Sequence, residues 1–164
     1  MISKKIEDAF NDQINAELFS AYIYMAMSAY LESVDLVGMA HWMNVQAQEE
    51  VDHARKFAAH IVERGGRVRY KTIECPQEEW KSALDVFKGA YDHERYVTGR
   101  INSLMDMAVA EKDYASQVFL HWFIEEQVEE EAAADAIVKK LELIGEGGKG
   151  IYMIDKDLGK REAE

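Results

Sequence analysis

Apolar residues recur every three or four positions along four long segments of the chain, the spacing of helices that pack one face into a bundle. A single proline and few strand-like alternations in 164 residues favour an all-α protein. Ser3 and Asp113 are suitable N-caps, and Gly65 with Gly66 is a strong C-terminal stop signal. The predicted helices span about residues 4–32, 36–64, 77–110 and 113–144, with a short fifth helix within about 151–161.

The lengths of the connections predict how these helices are arranged. Only a few residues separate the first helix from the second and the third from the fourth, so each pair should form an antiparallel hairpin. The link from Gly65 to Pro76 is about 12 residues, which can span about 40 Å when extended. A helix of about 28 residues is about 42 Å long. We therefore predict two antiparallel hairpins joined by one long crossover, forming a single domain over residues 1–164.

Composition excludes several classes of protein. Cys75 is the only cysteine, which rules out an internal disulfide and any cysteine-based zinc or iron–sulfur site. No apolar run approaches the roughly 20 residues of a membrane span, and the N-terminus lacks an apolar signal core. Acidic residues outnumber basic ones 31 to 19, and a net charge of −12 argues against binding nucleic acid. We expect a cytoplasmic protein with neither a membrane nor a nucleic-acid partner.

Each of the four long predicted helices carries a glutamate at a position where bundle packing requires an apolar side chain. These residues are Glu17, Glu50, Glu94 and Glu130, one per helix. Burying several unpaired carboxylates costs several kcal/mol each, and they repel one another, so the pattern is coherent only if a cation neutralises them. His53 lies three residues after Glu50, on the same helix face. Carboxylates with one imidazole suit iron or manganese, so we predict a dinuclear metal site.

The predicted site is asymmetric. Generic di-iron carboxylate bundles carry Glu-x-x-His on two helices. This chain has that motif once, at Glu50 and His53, and the matching place on the fourth helix has Gln127 and Glu130. One metal position would include a histidine and the other only carboxylates, which favours iron that passes through the site over a permanently bound redox cofactor.

Five stretches together make the chain resemble the prokaryotic non-haem ferritins of archaea and bacteria. They are residues 11–17 (NDQINAE), 41–43 (HWM), 49–54 (EEVDHA), 64–68 (RGGRV) and 122–131 (WFIEEQVEEE). The resemblance covers essentially the whole chain. It implies a ferritin-like four-helix bundle with a short C-terminal helix, and a ferroxidase that oxidises Fe(II) with dioxygen, or hydrogen peroxide, and stores ferric mineral in a homo-oligomeric shell of 24 subunits.

The resemblance also implies a role for individual residues. Glu17, Glu50 and His53 match the first iron position, with Glu50 bridging to Glu94 and Glu130 at the second. The residues that match a third, weaker position are Glu49, Glu126 and Glu129. Beside the centre, Gln127 matches a polar supporting residue and Tyr24 matches a tyrosine, although packing alone can explain Tyr24. Asp52 stands where bacterioferritins have a haem-binding methionine, so no haem is expected.

Two other functions remain open at this level. A di-iron oxidase or peroxidase of the rubrerythrin type would use the same bundle, but it would require a second Glu-x-x-His. A structural bundle with vestigial ligands would require substitutions among the ligand positions, and this chain has none at Glu17, Glu50, His53, Glu94 or Glu130. DNA-binding mini-ferritins are a further relative, but they build their site between subunits.

Overall fold

Five helices follow one another in a computed structural model of the protein. They are α1 (Lys4–Ser33), α2 (Val37–Glu63), α3 (Ala83–Ala110), α4 (Tyr114–Ile144) and α5 (Gly148–Leu158). The structure describes residues 1–145 and 148–162, so residues 146, 147, 163 and 164 of the predicted domain lie outside that description. Among the described residues there is no strand and no helix with the length and apolar character needed to span a membrane. The all-α prediction is confirmed.

Of the three bundle helices that begin at a capping side chain, two begin where the sequence predicts them. Ser3 accepts a hydrogen bond from the Ile6 backbone N–H, and Asp113 accepts one from that of Ser116. The exception is α3, predicted from residue 77 but observed from Ala83, because Ser82 is the N-cap and its hydroxyl accepts from the Asp85 N–H. Residues 77–82 belong to the crossover instead, and the side chain of Trp80 from this segment packs into the core.

Two apolar clusters show how the helices run. Along α1 the chain passes from the cluster around Phe10 to the cluster around Leu31, and α4 runs the same way, from Phe123 to Leu141. Helices α2 and α3 run in the opposite direction. Because α2 and α3 are parallel, the connection between them must return along the whole bundle, as predicted. It does so over residues 64–82, a longer link than expected because α3 starts late.

Helix α5 packs across the start of α2. The Asp155 carboxylate accepts a hydrogen bond of 2.8 Å from the Met39 backbone N–H. The two backbones are so close that a Cβ on Gly38 would lie 1.8 Å from the Asp155 carbonyl oxygen. The sequence predicted this helix from about residue 151, and it begins at Gly148 instead. The absence of a side chain at Gly150 allows that earlier turn to lie against Ile144.

Candidate metal centre

A layer of buried carboxylates separates the two apolar clusters. On every helix of the bundle, one glutamate lies between the residues of one cluster and those of the other. Glu17, Glu50 and Glu94 are each 1% exposed, and Glu130 is 6% exposed. The helical spacing that put these residues among core positions therefore corresponds to real burial.

Three of the predicted residues converge on one point. Ligand atoms of Glu17, Glu50 and His53 all lie within 4.8 Å of one another, and all three side chains are buried. The Nδ1 atom of His53 is 3.5 Å from Oε2 of Glu50. In the described part of the chain, Oε2 of Glu17 and Oε2 of Glu50 are buried without a hydrogen-bond partner. Buried carboxylate oxygens without a donor are costly, so their convergence on an imidazole fits a cation.

Aromatic rings hold the imidazole in place. The ring centroid of Trp122 is 5.4 Å from that of His53, and the centroid of Phe123 is 5.7 Å away, both in edge-to-face geometry. Such contacts fix the ring plane and keep water away from one side of the histidine.

Burial and mutual repulsion make the glutamates reluctant to ionise without a cation. Burial, reinforced by the charge of Glu50, raises the pKa of Glu17 to about 8. Burial, followed by the charges of Glu94 and Glu130, raises the pKa of Glu50 well above its usual value. Burial and the charge of Glu94 raise the pKa of Glu130 to about 8. A divalent cation would remove this repulsion and favour the charged forms.

Glu94 is already engaged by other side chains. The phenol of Tyr24, which is fully buried, donates a hydrogen bond to Oε1 of Glu94. The amide of Gln127 donates to Oε2 of Glu94 at 3.2 Å and to its backbone carbonyl at 3.2 Å. The two residues that the resemblance places beside the centre thus contact the same carboxylate. Burial still raises the pKa of Glu94, although these two hydrogen bonds oppose that rise.

The second cluster of possible ligands differs from the predicted set. The structure groups His53 with Glu126 and Glu130, whose ligand atoms all lie within 4.8 Å of one another. The resemblance to non-haem ferritins implies instead that Glu126 joins Glu49 and Glu129 at a separate third position. Glu126 thus lies between the buried centre and the acidic cavity beyond it.

The remaining predicted acids line a cavity of about 320 Å³ on one side of the centre. Its lining residues are Trp42, Glu49, Glu126, Glu129, Glu130, Ala133 and Arg161. Arg161, from the segment after α5, donates to Oε2 of Glu49 at 2.5 Å and stacks 4.3 Å above the Trp42 ring. The other Glu49 oxygen, Oε1, is buried without a hydrogen-bond partner in the described residues.

Sequence reasoning missed four polar residues behind the glutamates. Gln13 and Gln46 each lie four residues before a buried glutamate and donate to it, and Arg100 and Arg161 donate to these two amides. The glutamines had a signal, because a residue at i−4 shares the helix face of the ligand. The arginines had none, since their partners are 87 and 115 residues away in the chain.

Comparison with known proteins agrees with this geometry. The ferritin-like domain family matches residues 7–144. The bacterial non-heme ferritin of Bacteroides fragilis is 45% identical over 161 residues, covering 98% of this chain and 100% of that protein. A probable bacterial non-heme ferritin-like protein of Haemophilus influenzae is 40% identical over 97% of this chain and 96% of that protein.

Solved structures give the same result for the fold. The crystal structure of an open pore ferritin from the hyperthermophilic archaeon Archaeoglobus fulgidus superposes with a TM-score of 0.98 at 49% identity. The match covers 99% of this chain and 100% of that one. The predicted four-helix bundle with a short C-terminal helix is confirmed. With a family match over most of its length and full-length relatives well above 30% identity, the chain belongs to the ferritin family.

Proposed function

We propose that this ferritin, an iron-storing ferroxidase, oxidises Fe(II) at the buried layer of carboxylates. Glu17, Glu50 and His53 would hold the first Fe(II). The observation that carries the proposal is the convergence of two unpartnered buried oxygens, Oε2 of Glu17 and Oε2 of Glu50, on the His53 imidazole. A cation at that point would satisfy all three groups at once.

We assign the second Fe(II) to Glu50, Glu94 and Glu130, with Glu50 bridging the two positions. This position is less ready to receive a cation, because Tyr24 and Gln127 already donate to both carboxylate oxygens of Glu94. An incoming Fe(II) must share Glu94 with these donors or displace them. The two positions should therefore fill in order, with the histidine-containing position first.

The chemistry follows from two substrate ions held side by side. Each Fe(II) supplies one electron, and two ions about 3.5–4 Å apart can deliver an electron pair to one dioxygen bound between them. Before that step, burial and neighbouring charges raise the pKa values of Glu17 and Glu130 to about 8, which favours the protonated carboxyls in the absence of metal. Binding Fe(II) would release those protons to solvent.

We infer that Fe(III) leaves the centre through the cavity lined by Glu49, Glu126 and Glu129. Carboxylates around a cavity of about 320 Å³ suit a weakly held, partly hydrated cation. Arg161 already neutralises Glu49 there, so this third position should bind iron more weakly than the centre does. The ferric product would then hydrolyse and grow as mineral.

The assembly implied by this function is a hollow homo-oligomeric shell, for which we propose 24 subunits in the cytoplasm. The net charge of −12 would draw cations inward and offset charge on the mineral. Oxidation of iron as a substrate requires no haem. Asp52, which stands where bacterioferritins have the haem-binding methionine, pairs with Arg55 at 2.7 Å.

The rubrerythrin-type alternative receives less support. It calls for a second Glu-x-x-His, and the corresponding place holds Gln127, whose amide supports Glu94. Glu130 stands where that motif has its histidine, so the second position lacks an imidazole, which suits passage of iron better than a permanent di-iron cofactor.

Anaerobic loading with Fe(II) followed by oxygen tests the proposal. We expect rapid oxidation of about two irons per subunit, then slower mineral growth. Glu50→Ala should abolish the rapid phase, because it removes the bridge between the positions. The matched control is Glu63→Ala, an exposed glutamate on the same helix, which should behave as the parent. Unchanged rapid oxidation in Glu50→Ala would place the reaction elsewhere.

A further inference from the structure

Two glutamate ligands of the proposed centre are supported in the same way from one helical turn before them. Gln13, fully buried, donates from Nε2 to Oε1 of Glu17 at 2.9 Å. Gln46, also fully buried, donates from Nε2 to Oε1 of Glu50 at 3.5 Å. In both cases the amide engages Oε1, and Oε2 of the same glutamate is the oxygen without a partner.

An arginine fixes the orientation of each amide. Arg100 on α3 donates from Nε to Oε1 of Gln13 at 2.9 Å and from Nη2 to the backbone carbonyl of Asp12 at 3.3 Å. Arg161, after α5, donates from Nη1 to Oε1 of Gln46 at 2.8 Å. A guanidinium can only donate, so the glutamine must turn its oxygen towards it. A flipped amide would set N–H against N–H at the arginine and oxygen against carboxylate oxygen at the glutamate.

We propose that Gln13 with Arg100, and Gln46 with Arg161, are positioning residues that hold Glu17 and Glu50 with one oxygen engaged and the other directed at the metal. This inference rests on the proposed function of the centre. The gain is preorganisation: each carboxylate is held in its binding rotamer before the cation arrives, so less side-chain freedom is lost when the ion binds. Each arginine acts through its glutamine and touches neither of the two supported glutamates.

The two supports should differ in strength. The Gln13–Glu17 hydrogen bond is 2.9 Å long, whereas the Gln46–Glu50 contact is at 3.5 Å and is the weaker of the two. Arg161 also divides its donors between Gln46 and Glu49. Loss of Gln13 should therefore weaken cation binding more than loss of Gln46 does.

Titration of the assembled, metal-free protein with Co(II) tests the proposal without oxidation, and the visible absorption of Co(II) reports its ligand geometry. Gln13→Met keeps side-chain bulk but removes the donor, and Arg100→Gln removes the group that orients it. We expect each to weaken the first Co(II) by roughly three- to tenfold, the range of one hydrogen bond, and to change its spectrum. Gln46→Met should have a smaller effect. The controls, Gln48→Met and Arg95→Gln, alter exposed residues on the same two helices as Gln46 and Arg100 and should match the parent.

Glu50→Ala distinguishes failure of the proposed centre from failure of the proposed positioning role. If it abolishes the first Co(II) spectrum while Gln13→Met and Arg100→Gln match the parent in affinity and spectrum, the centre stands and the positioning role is wrong. If Glu50→Ala itself leaves that spectrum unchanged, the proposed centre is wrong. Should Gln13→Met fail to assemble, Arg100→Gln decides alone, because Arg100 is half-buried at the bundle surface and its loss leaves the core packing in place.

Discussion

His53 Nε2 lies 3.9 Å from a carboxylate oxygen of Glu126, while Nδ1 of the same ring faces Glu50 at 3.5 Å. A single imidazole thus has the buried centre on one side and the acidic cavity on the other. Metal-bound histidines commonly donate their second ring N–H to a carboxylate, which fixes the tautomer. At 3.9 Å the Glu126 carboxylate lies just beyond hydrogen-bond distance of Nε2, so a small rotation of its side chain would let it serve the centre in this way. Glu126 also lines the cavity.

Glu126 and Glu129 should therefore differ in their effect on oxidation. Glu129 is exposed on the cavity side, so Glu129→Ala should leave the initial rate within about twofold of the parent and alter only later iron turnover. Glu126→Ala should slow the initial phase by roughly three- to tenfold, because it removes a carboxylate next to His53. Stopped-flow absorbance at two irons per subunit measures both rates. If the two variants lost the same share of the initial oxidation rate, the third position would be part of the main centre.

Arg161 should limit how strongly the third position binds a cation. Its guanidinium lies 2.5 Å from Glu49, so Arg161→Gln removes a competing positive charge from the cavity. We expect Tb(III), an oxygen-seeking probe, to bind there at least about threefold more tightly in the variant, since even a partly exposed charge pair contributes up to about 1 kcal/mol. Luminescence sensitised by Trp42 would report binding, with Glu50→Ala present in both proteins to silence the main centre.

A neighbouring residue provides the control for that measurement. Lys160 pairs with Asp157 at the surface, so Lys160→Gln removes the same charge from the same segment without touching Glu49. It should leave Tb(III) binding unchanged. If Lys160→Gln and Arg161→Gln gave equal gains, the effect would be general electrostatics and Arg161 would hold no special place in the cavity.

The stability of the metal-free protein should fall as pH rises. The pKa values of Glu17 and Glu130, about 8 in the folded chain, lie above the usual 4.5, so the folded state binds more protons than the unfolded state between these values. The stabilisation is full below about pH 4.5 and is lost as pH rises through about 8. From pH 6 to 9 we expect Tm to drop by on the order of 10 °C.

Calorimetry of the metal-free protein with and without Zn(II) measures this dependence. Glu130→Gln, which cannot ionise, should reduce the slope of Tm against pH, and Zn(II) should do the same by binding the charged forms. Glu142→Gln, which alters a half-exposed glutamate on the same helix, is the control for net charge. A slope that is the same in Glu130→Gln as in the parent would mean that ionisation of Glu130 does not contribute to this dependence.

The glutamates could be located from the sequence because their position depends only on local helical periodicity. Glu17 and Glu50 occupy a regular 3- and 4-residue spine, and any packing of those helices into a bundle buries that spine. The start of α3 was predicted too early, because residues 77–82 are not helical and Trp80 from this segment reaches the core against Tyr30, whose ring is 5.4 Å away. Arg161 reaches the centre only because α5 docks on α2, which no local pattern encodes.

Docking of α5 on α2 brings the C-terminal segment to the cavity, and a substitution at Gly38 tests this connection. A Cβ at Gly38 would lie 1.8 Å from the Asp155 carbonyl oxygen, a clash between backbones that only movement of α5 can relieve. Gly38→Ala should displace α5, draw Arg161 away from Glu49 and raise Tb(III) affinity in the cavity as Arg161→Gln does. It should also lower Tm, although alanine is the better helix former by about 1 kcal/mol.

Gly99→Ala is the matched control, because a Cβ there meets nothing within 4 Å and the substitution retains only the helix-propensity gain. This variant should raise Tm slightly and leave Tb(III) binding unchanged. If Gly38→Ala lowered Tm but left Tb(III) affinity at the parental value, Arg161 would remain at Glu49 without the packing of α5. The hydrogen bonds of Arg161 to Glu49 and Gln46, and its stacking on Trp42, would then suffice to hold the segment in place.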